Sequence, residues 1–177
     1  VLVENIRRVA ARYRPFLTPQ GEQQYRAKPY YSLEQGELVL HQVPCPRDPI
    51  TEEQLPDDKV DRGGRMQWLR KAVNKMGPAV KALAQRISGY DPVPDYKRPD
   101  NPHWLLMSAI LERWIGEIDK PVLLVPIPLY QHVEESSSSE AYRARFRELA
   151  SSTGAILHDP MDNIIKYSAE DRRRFRF

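Results

Sequence analysis

The sequence predicts an α/β fold with a parallel sheet, and two observations in its second half support that prediction. Residues 122–125 and 155–157 are short and continuously apolar, as strands buried on both sides of a parallel sheet usually are. Residues 101–118 and 140–152 precede these two strands and repeat their apolar side chains at helical spacing. Buried strands that alternate with amphipathic helices are typical of an α/β layer.

The amino-terminal part is predicted to contribute a strand end, a helix and a hairpin. Residues 1–3 are apolar and are predicted to end a buried strand. Residues 6–13 have helical spacing, and Pro15 is expected to end that helix. Residues 28–44 carry apolar runs on both sides of Gly36, which predicts a β-hairpin with the glycine in its turn.

Proline is unusually common in the middle of the chain. Sixteen of the 177 residues are proline, which is about 9% against an average near 5%. Ten of the sixteen fall between residues 15 and 95, and proline disrupts both helices and strands. We therefore expect residues 15–100 to form a loop-rich insertion that contains the hairpin and the helices predicted within residues 66–87.

Local signals place the element boundaries in the second half. Asn101 and Pro102 are typical of an N-cap and a first helical residue. Gly154 is expected to end the helix of residues 140–152, because a left-handed residue commonly follows a helix. Residues 161–167 are predicted to form one helical turn. The four serines at residues 136–139 are expected to form a mobile linker.

Composition and charge exclude several classes of function. The chain is 41% apolar and 29% charged, which suits a folded globular protein, and no apolar run reaches the length of a membrane helix. The net charge of +3 is too small to favour nucleic acid. Cys45 is the single cysteine, which excludes an internal disulfide. No segment has the residue spacing of a metal-binding or phosphate-binding motif, so neither a metal nor a cofactor is predicted.

Functional sites in open α/β sheets lie at the carboxyl ends of strands, and polar residues follow three predicted strands. Asn5 follows the first strand and could donate its amide to a developing oxyanion, but its position also suits the N-cap of the next helix. His132 lies in the loop after the second strand and is expected to be solvated. His158 and Asp159 follow the third strand; adjacent strand residues point to opposite faces, which favours a structural role for both.

The other candidate residues are predicted to have no chemical role. His41 and His103 are expected at the surface. Cys45 lies between two prolines, where no neighbour activates it, and is expected to be an unreactive thiol.

Several segments, in their order along the chain, resemble the SGNH (GDSL-type) hydrolase family. Residues 1–3, followed by residues 4–8, resemble the family's third conserved block, in which a strand end presents an Asn to the oxyanion hole. Residues 120–126, 142–149 and 154–159 are similar to the strand, helix and strand found before the family's D-x-x-H block. The segments that resemble an insertion of some members are residues 14–16, 28–30 and 33–40.

This resemblance implies a three-layer, flavodoxin-like parallel-sheet fold, here incomplete, and a serine esterase that acts on acyl esters. It implies that Asn5 is the oxyanion-hole residue, because an amide donates hydrogen bonds and the carboxylate of Glu4 does not. Nothing in this chain matches the family's G-D-S nucleophile block, and the D-x-x-H block is expected after Phe177. Residues 1–177 are therefore expected to be a single partial domain, inactive by itself, whose parent protein acts on a small-molecule or carbohydrate ester.

A second hypothesis is a non-catalytic α/β module that recognises an anionic ligand or partner. The absent nucleophile motivates it, together with arginine clusters at residues 7–14 and 172–176 that could steer an anion. A solvated surface accounts for the same arginines. Nucleic acid is a weaker alternative, because the acidic stretch at residues 52–61 interrupts any uniformly basic face. The sequence indicates neither an oligomeric state nor a compartment.

Overall fold

A computed structural model describes residues 1–56 and 91–174. The helices predicted within residues 66–87 lie outside the described residues. The described part is mixed α/β and contains two antiparallel hairpins and one parallel strand pair.

Two antiparallel hairpins form most of the amino-terminal part. Strands β1 (Tyr13–Leu17) and β2 (Gln23–Ala27) make the first hairpin, and β3 (Tyr30–Glu34) and β4 (Glu37–His41) make the second. The second confirms the hairpin predicted within residues 28–44. Gly36 has a φ of +88° in its turn, a conformation that glycine adopts without a steric penalty.

The helix predicted over residues 6–13 is wrong. A 3-10 helix over Val3–Arg7 is followed by strand β1, in which Pro15 lies opposite Tyr25. Strand β1 pairs with β2 alone among the described strands, and an edge strand tolerates proline because its missing N–H is not needed on the open side. Pro15 therefore sits within a strand instead of ending a helix.

The carboxyl-terminal half contains the parallel layer that the sequence predicts. Strands β5 (Leu123–Leu124) and β6 (Ile156–Leu157) pair in parallel. An isolated parallel bridge joins Leu2 to Ile127, and the Ile127 amide donates to the Val1 carbonyl over 2.8 Å. Three parallel segments therefore lie side by side. The segment that contains β5 and Ile127 is in the middle, with the amino-terminal segment on one side and β6 on the other.

One face of this parallel layer is exposed, which corrects the prediction that its strands are buried on both sides. Leu124 is 2% exposed, whereas Leu123 and Ile156, which lie opposite each other, are 59% and 58% exposed. Leu2 and Ile127 are also exposed apolar residues. Side chains alternate between the two faces of a strand, and the described helices cover only one of them.

Five α-helices are described. They are α1 (Pro102–Gly116), α2 (Tyr130–Val133), α3 (Glu140–Thr153), α4 (Met161–Ile164) and α5 (Ala169–Arg173). The Asn101 side chain accepts the His103 amide over 2.9 Å and so caps α1, as predicted. Gly154 has a φ of +73° directly after α3, which confirms its predicted role at the end of that helix. Short 3-10 helices also cover Glu52–Gln54 and Pro94–Tyr96.

The core is an aromatic cluster that holds α1 and α3 together on one face of the parallel layer. Tyr96 lies at the centre, with ring centroids 5.6 Å from Trp104, 6.2 Å from Tyr142 and 6.1 Å from Phe146. All four rings are buried. The Tyr96 hydroxyl donates to the Val3 carbonyl over 2.9 Å, so the cluster also fixes the end of the first parallel segment. Within the part of the chain that the structure describes, no helix is long and apolar enough to span a membrane.

Candidate functional site at the carboxyl edge of the parallel layer

The carboxyl ends of the three parallel segments bring the predicted polar residues to one edge of the layer. Asn5 follows the first segment, helix α2 with His132 follows the second, and His158 and Asp159 follow the third. This edge is where open α/β sheets place their ligands.

Asn5 lies within the first 3-10 helix and is not an N-cap. The cap position of that helix is Leu2, and the Asn5 carbonyl accepts the amides of Arg8 and Val9 at 2.8 Å and 3.1 Å. The capping alternative is therefore wrong, because the helix that Asn5 would have capped does not form. Among the described residues, none hydrogen-bonds to its half-buried side-chain amide.

His132 is buried, which corrects the prediction that it is solvated. It is 1% exposed and packs on Tyr142, with ring centroids 5.0 Å apart. Burial lowers the pKa of His132 to about 4, with a smaller opposing effect of Asp91, so its imidazole is neutral at pH 7. Its Nδ1 accepts the Leu129 amide over 3.4 Å, and its Nε2 contacts no hydrogen-bond partner among the described residues.

The four serines at residues 136–139 form an ordered turn rather than the mobile linker that the sequence predicts. The amides of Ser136 and Ser137 donate to the Gln131 carbonyl at 2.9 Å and 3.2 Å, and the Ser136 hydroxyl donates to the same oxygen. This turn leads directly into α3. It therefore fixes the first turn of that helix beside His132.

Asp159 has a structural role, as its position predicts. Its carboxylate accepts from Arg143 Nε over 2.5 Å, and Arg143 also binds Asp162. The adjacent His158 is exposed, and its amide donates to the Leu124 carbonyl over 2.9 Å. The imidazole and the carboxylate of this neighbouring pair therefore do not act together.

An aspartate–histidine pair lies elsewhere, and sequence reasoning missed it. Asp95, 8% exposed, accepts from His103 Nδ1 at 2.7 Å and from Arg7 Nε at 2.8 Å. Burial alone would raise the pKa of Asp95, but the hydrogen bonds from His103 and Arg7 outweigh it and lower the pKa below its ordinary value. A buried carboxylate that orients a half-exposed imidazole in this way is a common feature of acid–base sites.

The sequence contains a pattern that would pair His103 with an aspartate, but that aspartate is Asp100 and not Asp95. Residues 100–103 have D-x-x-H spacing, yet Asp100 pairs with Arg98 at 2.6 Å while His103 binds Asp95. The contact arises only because the 3-10 helix of Pro94–Tyr96 packs beside the first turn of α1. His103 is thus half-exposed and paired, not simply a surface residue.

A cavity of about 560 Å³ opens beside His132 at the same edge. It is lined by the serine turn, by the start of α3 and by residues of the following loops; the charged residues around it are Asp91, Lys97, Glu135, Glu140 and Arg143. Its size is in the range of small-molecule sites. Among the described residues, no group of three or more His, Cys, Asp or Glu side chains could hold a metal ion.

Comparison with known proteins found no relative of this chain. No family model matches it, and neither a curated protein nor a solved structure matches it significantly.

Proposed function

We propose that this chain is the central portion of a three-layer serine esterase domain of the SGNH type, and that Asn5 is one of its oxyanion donors. One observation supports the proposal above others: the Asn5 amide, which hydrogen-bonds to no described residue, lies at the carboxyl end of the first of three adjacent parallel segments. The order of those segments agrees with the resemblance seen in the sequence.

In the proposed mechanism, a serine of the parent protein attacks the ester carbonyl. A histidine takes the serine proton, and an aspartate orients that histidine. This chain has no match to the block that supplies the serine, so its own contribution is the Asn5 amide, which donates to the oxygen that becomes negatively charged. A fixed neutral donor stabilises that charge more in the transition state than in the bound ester.

Tyr96 holds this donor in place. Its hydroxyl binds the Val3 carbonyl, two residues before Asn5, and Tyr96 itself is enclosed by the aromatic core. The 3-10 helix that carries Asn5 therefore rests on a rigid support, and preorganisation of this kind is what makes an oxyanion donor effective. The proposed substrate is an acyl ester of a small molecule or a carbohydrate.

The experiment replaces Asn5 in the intact protein that carries this chain and measures hydrolysis of p-nitrophenyl acetate. Asn5→Ala should lower kcat by about 10²–10³-fold with little change in KM, which is the usual cost of losing one oxyanion donor. The neighbouring exposed substitution Glu4→Gln is the matched control and should leave kcat within about twofold, because a carboxylate cannot donate. Equal losses from both variants, or none from Asn5→Ala, would refute the role of Asn5.

The anionic-ligand module remains a second candidate because of one feature of the first hairpin. Arg14 and Arg26 are exposed and lie directly opposite each other in the β1–β2 pair, an arrangement of like charges that destabilises a hairpin. Arg26 also packs on the Phe16 ring at 4.7 Å. A bound anion would relieve this repulsion, so a double Arg14→Gln/Arg26→Gln variant should lose salt-dependent binding of polyglutamate if this function is correct.

A further inference from the structure

Asp95 binds the imidazole of His103 and the guanidinium of Arg7 through its two carboxylate oxygens. Oδ1 accepts from His103 Nδ1 over 2.7 Å, and Oδ2 accepts from Arg7 Nε over 2.8 Å. The Asp95 side chain is 10% exposed, whereas the side chains of His103 and Arg7 are 44% and 49% exposed. One buried carboxylate therefore holds two half-exposed nitrogen groups next to each other at the protein surface.

The second nitrogen of this imidazole is available as a nucleophile. A charged carboxylate only accepts, so in the neutral ring His103 Nδ1 carries the proton and Nε2 carries the lone pair. Nε2 hydrogen-bonds to no described residue, and it is not one of the buried polar atoms without a partner, so solvent reaches it. A new bond at Nε2 leaves a positive charge on the ring, and Asp95 stabilises that charge through Nδ1.

The surroundings of His103 favour a reagent that is both electrophilic and anionic. Arg7 binds Asp95 through Nε alone, and within the described part of the chain its two terminal NH₂ groups have no partner; a guanidinium with free N–H groups binds phosphate oxygens well. His103 is the second residue of the fifteen-residue helix α1, and the amino-terminal end of a helix also favours negative charge. Asp100, which lies just before this helix, is paired with Arg98 at 2.6 Å. A phosphoryl group combines the electrophilic centre and the negative charge that these features suit.

We propose that Asp95, His103 and Arg7 form a phosphoryl-acceptor site, in which His103 Nε2 takes a phosphoryl group from a small acyl phosphate or phosphoramidate. The Nε2 lone pair forms the N–P bond while the P–O or P–N bond of the donor breaks. The leaving group departs with the bonding pair, as a carboxylate or as ammonia from the protonated nitrogen of the phosphoramidate. The product keeps its Nδ1–H bonded to Asp95, while Arg7 binds the phosphoryl oxygens. This site depends neither on Asn5 nor on esterase activity.

The experiment incubates the intact protein that carries this chain with phosphoramidate, which phosphorylates histidine directly, and follows each histidine by peptide mass spectrometry. His158 is the internal comparison, because it is exposed and its imidazole binds no described side chain. His103 should react about tenfold faster than His158, which is the effect expected of one hydrogen bond to a charged group. Asp95→Asn should slow His103 about tenfold, because a neutral amide does not stabilise the ring charge. Asp100→Asn is the matched control, because Asp100 also pairs with an arginine but binds no histidine, and it should leave the rate unchanged.

Two further measurements keep the proposal testable if Asp95→Asn does not fold. Arg7→Gln should slow the phosphorylation of His103 about tenfold, whereas Arg8→Gln, at an exposed arginine that pairs with Glu4, should not. In the wild-type protein, ³¹P NMR should show the isomer that is phosphorylated on Nε2. The proposal is overturned if His103 reacts no faster than His158, or if its phosphoryl group is on Nδ1. It is also overturned if folded Asp95→Asn reacts as the wild type does, or if Arg7→Gln and Arg8→Gln have equal rates.

Discussion

Acid should destabilise this protein through His132 before its carboxylates protonate. The pKa of His132 is lowered by burial from an ordinary 6.5 to about 4. In the unfolded chain the same imidazole takes up a proton near pH 6.5, whereas in the folded chain it does not until pH 4. Between these values the unfolded state binds more protons, so the free energy of unfolding falls as the pH falls.

The size of the effect follows from the difference in pKa. Each unit corresponds to about 1.4 kcal/mol, so the His132 contribution to the pH dependence approaches about 3 kcal/mol between pH 7 and pH 4. Asp95, whose pKa is lowered, affects the free energy of unfolding at a lower pH than His132 does. The stabilisation from its charged carboxylate is complete above the ordinary carboxyl pKa and is lost as the pH falls through the lowered pKa. The two groups can therefore be separated by pH.

Urea unfolding followed by circular dichroism at pH 7, 5.5 and 4.5 measures this effect. The wild-type chain should lose stability across the series, and His132→Phe should lose much less, because phenylalanine takes up no proton. Identical pH dependence in the wild type and His132→Phe would refute the account of His132 as a buried, neutral imidazole, as would an NMR titration of His132 near pH 6.5.

Three further predictions concern the core, the aspartate–histidine pair and the exposed face. Phe146→Ala should lower the free energy of unfolding by about 3–5 kcal/mol in urea titrations, because Phe146 is 0% exposed within the aromatic core; a loss under 1 kcal/mol would contradict that placement. Asp95→Asn should cost about 2 kcal/mol at pH 7 and much less near pH 2, since the charged carboxylate accepts from Arg7 and His103; a cost independent of pH would show that the charge is irrelevant. The double variant Leu123→Lys/Ile156→Glu, which places opposite charges at two residues that face each other across the strand pair, should reduce binding of a hydrophobic dye with little loss of stability, because both side chains are more than half exposed; unfolding of this variant would mean that the face is covered.

The carboxyl-terminal half could be predicted from sequence because its signals are local. Helical periodicity, the Asn101 cap and Gly154 each depend on neighbouring residues, and all three appear in the structure. The structure of the amino-terminal part could not be predicted in this way. The helical spacing of residues 6–13 predicts a helix, but the pairing of β1 with β2 overrides it. Pro15 was expected to end that helix, but an edge strand also tolerates proline, so its presence did not distinguish a helix end from a strand.

The site could be predicted only in part, for the same reason. Asn5 reaches the carboxyl edge because it follows a strand, which the sequence shows. The burial of His132 depends on Tyr142 of a later helix, and nothing in the serine-rich sequence around His132 indicates that contact. The Asp95–His103 contact likewise depends on how a 3-10 helix packs on α1, and the nearest sequence signal pointed to Asp100 instead.

The most direct test of the central claim is the rate at which a fluorophosphonate probe labels the intact protein that carries this chain. Such a probe reacts with an activated serine and leaves an oxygen where the oxyanion would form. We predict that one serine is labelled, and that Asn5→Ala slows the labelling by about 10²-fold or more while Glu4→Gln does not. Absence of labelling in the intact protein, or equal rates for the wild type and Asn5→Ala, would contradict the assignment of Asn5 to the oxyanion hole of a serine esterase.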